Sequence, residues 1–434
     1  MAGETASSFL FTLNGKSVEV RDAPPNQNLL DFLRHSGLTG SKEGCAEGDC
    51  GACSVVIVDR DAAGKPAYRS INSCIALLPA LAGREVLTVE GIGCAKAMHP
   101  VQEAMVKHYG SQCGYCTPGF IASLYEGYHR EDVTSPAKIA DQLCGNLCRC
   151  TGYRAIRDAA AEVFRNRKLV TTPDASPLGP VSYARQDFRF HRPTALDELI
   201  SLYESDPQAR LIAGATEIGV EINKLFREFP FLISTEAVPE LQEIRSSDSH
   251  WEIGAGATLT RIEETLADEY PSITQMLTLF ASRQIRNRAT LGGNLATASP
   301  IGDSAPVLLS LDAEVVLKSR TSERVVPLHE FFTDYRKTVL QAGEIVLRIR
   351  IPRAVKSARD VFWKVSKRRE MDISIVSAAF HVEFKGDRVS QARLAYGGVG
   401  ATPRRARWAE KFLVGKTLEE SLEQTTALLA EEFQ

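Results

Sequence analysis

The sequence predicts an α+β chain of several domains, and three features carry that expectation. All ten cysteines of the 434 residues lie before residue 151. The proline-bearing stretch RKLVTTPDASPLGPVS, residues 167–182, has no hydrophobic periodicity, as a linker does. Beyond it, β-type runs such as WEIGAGATL and EVVLKS mix with helical segments, and a last piece opens near VFWKVSKRREMDISIVSAAFHVEF.

With 44% hydrophobic and 24% charged residues the chain has material for several cores. A net charge of -3 gives no electrostatic reason to expect nucleic acid or an anionic membrane as partner. No apolar run approaches the length of a membrane helix, and MAGETASSFLFTLNGK lacks the basic, apolar and cleavage-site order of a secretory leader. The expected compartment is the cytoplasm, where thiols stay reduced and clustered cysteines point to metal rather than disulfides.

In chain order, residues 7–92 predict a small sheet packed on a helix. FTLNGKSVEV reads as two strands around Asn14-Gly15, a dipeptide suited to a tight hairpin turn. NLLDFLRHS is expected to be helical, SVVIV a buried strand, and NSCIALLPALAG a short apolar helix with Gly83 past its end. Residues 93–166 switch to a helical period: HPVQEAMVKHY, TPGFIASLYEGYHR with Thr117 as N-cap and Pro118 at the first helical position, SPAKIADQL with Ser135 and Pro136 in those places, and YRAIRDAAAEVFRN. Four helices with short connections predict a bundle. After the linker, 183–356 is mixed α+β and 357–434 a further domain, expected to be incomplete because Gln434 comes soon after an amphipathic segment begins.

The stretch GCAEGDCGAC places Cys45, Cys50 and Cys53 with four and then two residues between them, and Cys74 follows. C-x4-C-x2-C...C is the plant-type ferredoxin spacing for a 2Fe-2S cluster. Three ligands on one loop must wrap a compact anionic group, and Gly44, Gly48 and Gly51 let the backbone turn sharply there. A four-thiolate zinc site is the competing reading, but zinc knuckles pair two C-x2-C units and the four-residue gap disfavours it.

The second set is Cys113 and Cys116 in QCGYCTPG with Cys148 and Cys150 in LCGNLCRCTGY. C-x2-C alone is shared by redox dithiols and zinc knuckles. The one-residue gap between Cys148 and Cys150 is awkward for zinc, whereas two ligands so placed can hold one iron. Both pairs sit beside expected helix ends, whose free N–H groups favour an anionic cluster. Cys94 and Cys144 are expected to be small buried hydrophobes.

With GCAEGDCGACSV, SQCGYCTPGF and GNLCRCTGYRAI in this order, and LIAGATEIGVEI, FASRQIRNRATLGGNLATASPIGDSAPVL and FWKVSKRREMDI beyond the linker, the chain resembles the molybdenum hydroxylases, in particular their xanthine dehydrogenase branch. The resemblance implies a ferredoxin-like β-grasp domain, a four-helix 2Fe-2S bundle, a non-Rossmann FAD domain of the PCMH/VAO type and a partial C-terminal flavoprotein domain. The lack of a strand-coupled G-x-G-x-x-G agrees.

The resemblance further implies two 2Fe-2S clusters and FAD on this chain and a molybdopterin-binding large subunit as partner in a heterotetramer. Electrons would run from the bundle cluster through the ferredoxin-like cluster to FAD and NAD+. Gln112 takes the place of a glutamine facing the pterin. No residue of this chain is expected to hydroxylate substrate. Other molybdenum hydroxylases, acting on aldehydes, nicotinate or aromatic thioesters, remain as alternatives, as does a stand-alone ferredoxin-like electron-transfer flavoprotein.

Two loops carry a flavin reading of their own. Leu211, Ile212 and Ala213 read as a buried strand entering Gly214, Ala215 and Thr216, whose backbone N–H groups can close on a pyrophosphate. Gly292, Gly293 and Asn294 repeat that chemistry, with Thr290 and Asn294 as side-chain donors. Family matching adds Arg210, Glu217, Ile218, Phe280, Ala281, Asp303, Leu347 and Lys364. Arg210 stands where lysine is common, and Lys364 lies near the charged run Lys367, Arg368 and Arg369.

Overall fold

The computed structural model describes residues 8–168, 173–355 and 357–434. Residues 169–172 of the expected linker lie outside the described residues. The chain divides into two compact units, Met1–Val238 with Ala281–Ala289, and Pro239–Phe280 with Thr290–Gln434.

The first unit opens with β1 (Phe9–Leu13) and β2 (Lys16–Val20). Their turn residues Asn14 and Gly15 have φ of 51° and 75°, the left-handed pair that a two-residue hairpin requires. Then come α1 (Leu29–His35), β3 (Ser54–Arg60), β4 (Pro66–Asn72) and β5 (Glu85–Leu87), giving a sheet of order β2-β1-β5-β3-β4 in which β1 and β5 run parallel. Phe9, Phe11 and Leu13 alternate onto one face and pack with Leu29 and Leu33 of α1, the period-two pattern of a half-buried strand. This is the β-grasp.

The helix expected over NSCIALLPALAG shrinks to a 3-10 turn at Leu78–Leu81. The carbonyls of Ser73 and Ala76 accept from the N–H groups of Leu30 and Leu29 instead of from their own helix, and Pro79 has no N–H to give.

After a short turn of helix, α2 (Val89–Ile92), the bundle comprises α3 (Pro100–Lys107), α4 (Thr117–Tyr128), α5 (Pro136–Leu143) and α6 (Arg154–Arg165) around Val101, Met105, Phe120, Leu124, Ile156 and Val163. Ser135 caps α5 as expected, accepting from Lys138 N–H. The cap of α4 lies one residue earlier than expected, at Cys116, because the Thr117 hydroxyl donates to Ser111 Oγ at 2.8 Å. A second sheet, β6 (Val181–Arg185), β7 (Phe188–Arg192), β8 (Ala209–Ile212) and β9 (Phe231–Ser234), has the order β6-β7-β9-β8 with α7 (Leu196–Ser205) and α8 (Ile218–Leu225) between strands.

The second unit contains α9 (Pro239–Gln242), β10 (Ile244–Ser246), β11 (His250–Gly254), α10 (Leu259–Leu266) and α11 (Pro271–Leu279). The segment with α12 (Arg283–Arg286) belongs to the first unit, and the second resumes at α13 (Leu291–Ala296) and α14 (Ser304–Ser310). Its larger sheet joins β10 and β11 to β12 (Glu314–Lys318), β13 (Glu323–Pro327) and a long strand, Ile345–Pro352. A meander of Ala358–Val365, Val376–Lys385, Arg388–Gly397 and Arg404–Arg405 follows, with two helices, Arg407–Leu413 and Leu418–Glu432. No helix among the described residues is long and apolar enough to cross a membrane.

Candidate functional site

The first ligand loop runs from the end of α1 to β3. Gly48 and Gly51 have φ of 87° and 67°, values that strain any residue with a Cβ. Gly44 serves another purpose: a Cβ there would stand 2.7 Å from Cys50 Sγ. Ala46 also takes a positive φ, 58°. It thereby aims the Glu47 N–H at Cys45 Sγ, 3.5 Å away, beside the Cys50 N–H at 3.3 Å.

Cys74 arrives two residues past β4 and is buried with Cys53 among Leu30 and Ile75, with Val220 and Ile285 packed alongside. Cys45 is hydrogen-bonded to both Cys50 and Cys74, and Cys53 to Cys74. Its contact with Cys50, then that with Cys74, pulls the Cys45 thiol far down. The same contacts push Cys50 and Cys74 up. Four sulfurs this close cannot all be thiolates unless a cationic group lies between them.

The second set forms two pairs, Cys113 with Cys150 and Cys116 with Cys148. Burial, then the Cys148 contact, raises Cys116 to about 12. Cys148 is buried, but the Thr151 hydroxyl donates to its sulfur at 3.2 Å and its own N–H reaches Tyr153 Oη at 2.9 Å. Against that burial, the Thr151 hydrogen bond draws its thiol down. Cys113 and Cys150 are exposed. No three His, Cys, Asp or Glu groups among the described residues are arranged around one metal ion. Pairing two and two suits a two-iron group better than zinc.

The two loops meet. Leu147 N donates to Cys50 O at 3.0 Å and Asn146 Nδ2 to Gly51 O at 3.2 Å. A Cβ on Gly51 would come within 2.1 Å of Gly145 O, and one on Gly119 within 2.0 Å of Gly51 O, so glycine is what lets these backbones touch.

Of the remaining cysteines, Cys94 is exposed and Cys144 half-buried, which corrects the expectation that both are buried hydrophobes. Cys94 sits in a small bridge with Ala97, too short to cover it. Gln112 is exposed beside Cys113.

The expected flavin residues divide between the units. Arg210, Leu211, Ile212, Ala213, Gly214, Ala215, Thr216, Glu217, Ile218 and Ala281 fall in the first. There β8 ends at Ile212, Ala215 turns with φ 59°, and Gly214 lies so close to Arg288 O that a Cβ would sit 1.7 Å away. Arg210 is exposed.

Phe280, Thr290, Gly293, Asn294, Asp303, Leu347 and Lys364 fall in the second unit. Thr290 acts there as the cap of α13, its Oγ1 accepting from Gly293 N–H at 3.2 Å, and Asn294 Oδ1 accepts from the Ser304 hydroxyl. These contacts use the oxygens as acceptors and engage neither the Thr290 hydroxyl hydrogen nor Asn294 Nδ2, the donors the sequence suggested. Leu347 O accepts from Ala255 N at 3.0 Å, and Gly292 packs directly on Ala255.

Lys364 is no part of a solvated charge run. Its side chain is 2% exposed, with Nζ 2.7 Å from Asp303 Oδ2 and 3.2 Å from Leu279 O. Asp303 Oδ1 accepts from the Ser374 hydroxyl, a contact that nothing in the local pattern MDIS announces.

The segment between Ala281 and Ala289 carries the largest surprise. Its side chains enter the iron-sulfur part of the first unit: Arg283 and Asn287 reach Glu126, Arg286 reaches Asp141, and Gln284 reaches Ser123 and Asn146. Arg288 pairs with Glu236.

Comparison with known proteins finds similarity along most of the chain. Residues 11–78 match the 2Fe-2S iron-sulfur cluster binding domain, 88–161 the [2Fe-2S] binding domain, 186–354 the FAD binding domain in molybdopterin dehydrogenase, and 361–434 the CO dehydrogenase flavoprotein C-terminal domain. Xanthine dehydrogenase of Emericella nidulans is 34% identical across 99% of this chain and 37% of the relative, and xanthine dehydrogenase/oxidase of Rattus norvegicus gives the same figures. The chain thus spans little more than a third of the length of these relatives.

Among solved structures, carbon monoxide dehydrogenase from Hydrogenophaga pseudoflava is similar at 26% identity and TM-score 0.55, covering 57% of this chain and 87% of that one. Quinoline 2-oxidoreductase from Pseudomonas putida 86 is similar at 30% identity and TM-score 0.53, covering 56% and 86%.

Proposed function

We propose that this chain is an iron-sulfur and flavin member of the molybdenum hydroxylases, the electron-transfer part of a xanthine dehydrogenase. In this reading a molybdopterin-binding partner chain oxidises hypoxanthine and xanthine to urate, the two chains form a cytoplasmic heterotetramer, and NAD+ is the final acceptor. Residues 7–92 and 93–166 are the two cluster domains, 183–356 the FAD domain and 357–434 the C-terminal flavoprotein domain. When bound, the 2Fe-2S clusters carry single electrons, and FAD takes them one at a time and returns them as a hydride.

The chain's own residues hold these groups in place. Cys45, Cys50, Cys53 and Cys74 would ligate one cluster, and Cys113, Cys116, Cys148 and Cys150 the other. The Leu147 N–H on Cys50 O keeps the two loops in direct contact. Asp303 holds the Lys364 ammonium at a fixed, dry position, where it can meet an anionic part of FAD. The meeting of two four-cysteine sets at the Cys50–Leu147 bond is the observation that carries the reading.

The test is purification of the native complex, identification of the partner by mass spectrometry, and assay with xanthine and NAD+. Urate and NADH formed by the complex, with neither formed by this chain alone, is the expected result. A second reading draws on the solved structures, whose names point to carbon monoxide and quinoline: the chain then serves a partner of other specificity. A complex that reduces NAD+ with quinoline or an aldehyde but not with xanthine would decide for it.

A further inference from the structure

Asn223 lies on α8, six residues after Glu217 at the end of the first flavin-type loop, and it reaches the first ligand loop. Its Nδ2 donates to Ala46 O at 2.9 Å and to Cys74 O at 2.7 Å. Its Oδ1 accepts from Asn28 Nδ2 at 3.3 Å, so both hydrogens and the oxygen of this amide are engaged. The helix is held close by Gly219, where a Cβ would come within 2.4 Å of Ile75 O, and Val220 packs against the cluster of Leu30, Cys53, Cys74 and Ile75.

The carbonyl of Ala46 and the N–H of Glu47 are two ends of one peptide unit. That N–H points at Cys45 Sγ. A donor on the oxygen polarises the peptide and strengthens what its N–H can give, as in any hydrogen-bonded chain. It also holds Ala46 at its positive φ, which an alanine does not keep unaided.

We propose that Asn223 is a positioning residue for electron transfer: it orients and polarises the Ala46–Glu47 peptide against Cys45 Sγ and so sets the reduction potential of the first 2Fe-2S cluster. Hydrogen bonds to cluster sulfurs are a principal determinant of that potential. Reduction adds negative charge, so an N–H dipole aimed at sulfur favours the reduced state and raises the potential. Removing the support lowers it. The proposal rests on Cys45, Cys50, Cys53 and Cys74 being the ligands of that cluster.

The experiment is potentiometric titration of the intact complex, followed by the two 2Fe-2S paramagnetic signals, for wild type, Asn223→Ala, Asn223→Asp and Cys45→Ser. Asn223→Ala should move the midpoint of one signal to a more negative value and leave the other in place, with FAD content unchanged. Asn223→Asp, which has no donor and adds a negative charge, should move the same signal further.

Loss of that one signal in Asn223→Asp alone also supports the role, since Asn223→Ala then carries the measurement. Two unmoved midpoints in Asn223→Ala, or equal shifts of both signals, would overturn the proposal. The ligand assignment fails separately, by Cys45→Ser leaving both signals as they are in wild type.

Discussion

Arg283 Nε donates to Glu126 Oε1 across 3.1 Å, with both side chains fully withdrawn from solvent. The same carboxylate accepts from Ser70 N, Gln142 Nε2 and Asn287 Nδ2. Removing one partner of a buried, hydrogen-bonded charge pair costs roughly 3–5 kcal/mol, because the remaining charge has no water to turn to. Glu126→Ala should therefore lower the chemical denaturation midpoint of the chain sharply, whereas Glu162→Ala, which loses only surface pairs with Lys107 and His108, should leave it nearly unchanged.

Acid should unfold the first unit through the same group and its counterpart Glu236. Burial alone would raise both carboxyls, but Arg283, Arg130 and Arg69 around Glu126, and Arg288, Arg84 and Arg192 around Glu236, bring each from the ordinary 4.5 to about 2. A depressed acid contributes stability that is fully present above its unfolded value and is lost as pH falls through the folded one. The window is therefore pH 4.5 down to 2, with a contribution on the order of 3 kcal/mol from each group. Urea titrations at pH 5 and pH 3 should show a steep loss in wild type and a shallower one in Glu236→Gln.

Cys150→Ser should abolish or shift one of two distinguishable 2Fe-2S signals and leave the other. Cys150 pairs with Cys113 at an exposed position, whereas Cys53 and Cys74 are buried in another core. Iron analysis should fall from about four atoms per chain toward two, the content of one cluster.

Asp303→Asn should leave Lys364 buried without its carboxylate. Lys364 is 2% exposed, and besides Asp303 its ammonium is received by Leu279 O. FAD retained through gel filtration, read from the visible absorbance, should drop, and Ser374→Ala should have a milder effect because it removes one hydrogen bond to Asp303.

Two glycine substitutions separate backbone strain from contact. Gly64 has φ 78° with open space around it, whereas Gly51 has φ 67° and faces Gly145 O. Gly64→Ala should cost about 1–2 kcal/mol, the price of the left-handed backbone. Gly51→Ala should cost more and also disturb cluster loading, since its clash is with backbone of the second ligand loop. Denaturation and iron content of the two variants check this.

Spacing made both ligand sets legible, because a loop that wraps a small cluster needs cysteines at short fixed intervals and glycine at its turns. Caps and hairpins were legible for the same reason: Asn14-Gly15 and Ser135-Pro136 act within a few residues of themselves. NSCIALLPALAG does not form the expected helix because its backbone partners lie in α1, beyond any local window.

The sequence by itself thus determined which cysteines gather into two sets and where the hairpin and most helices begin. Tertiary structure alone decided that ASRQIRNRA turns to the iron-sulfur part of its unit, that Lys364 is buried against Asp303, and that Asn223 backs the peptide beside Cys45. The physical reason is range. Turn geometry is set by neighbours in the chain, whereas the pairing of a buried charge or amide is set by whichever distant group shares its dry surroundings.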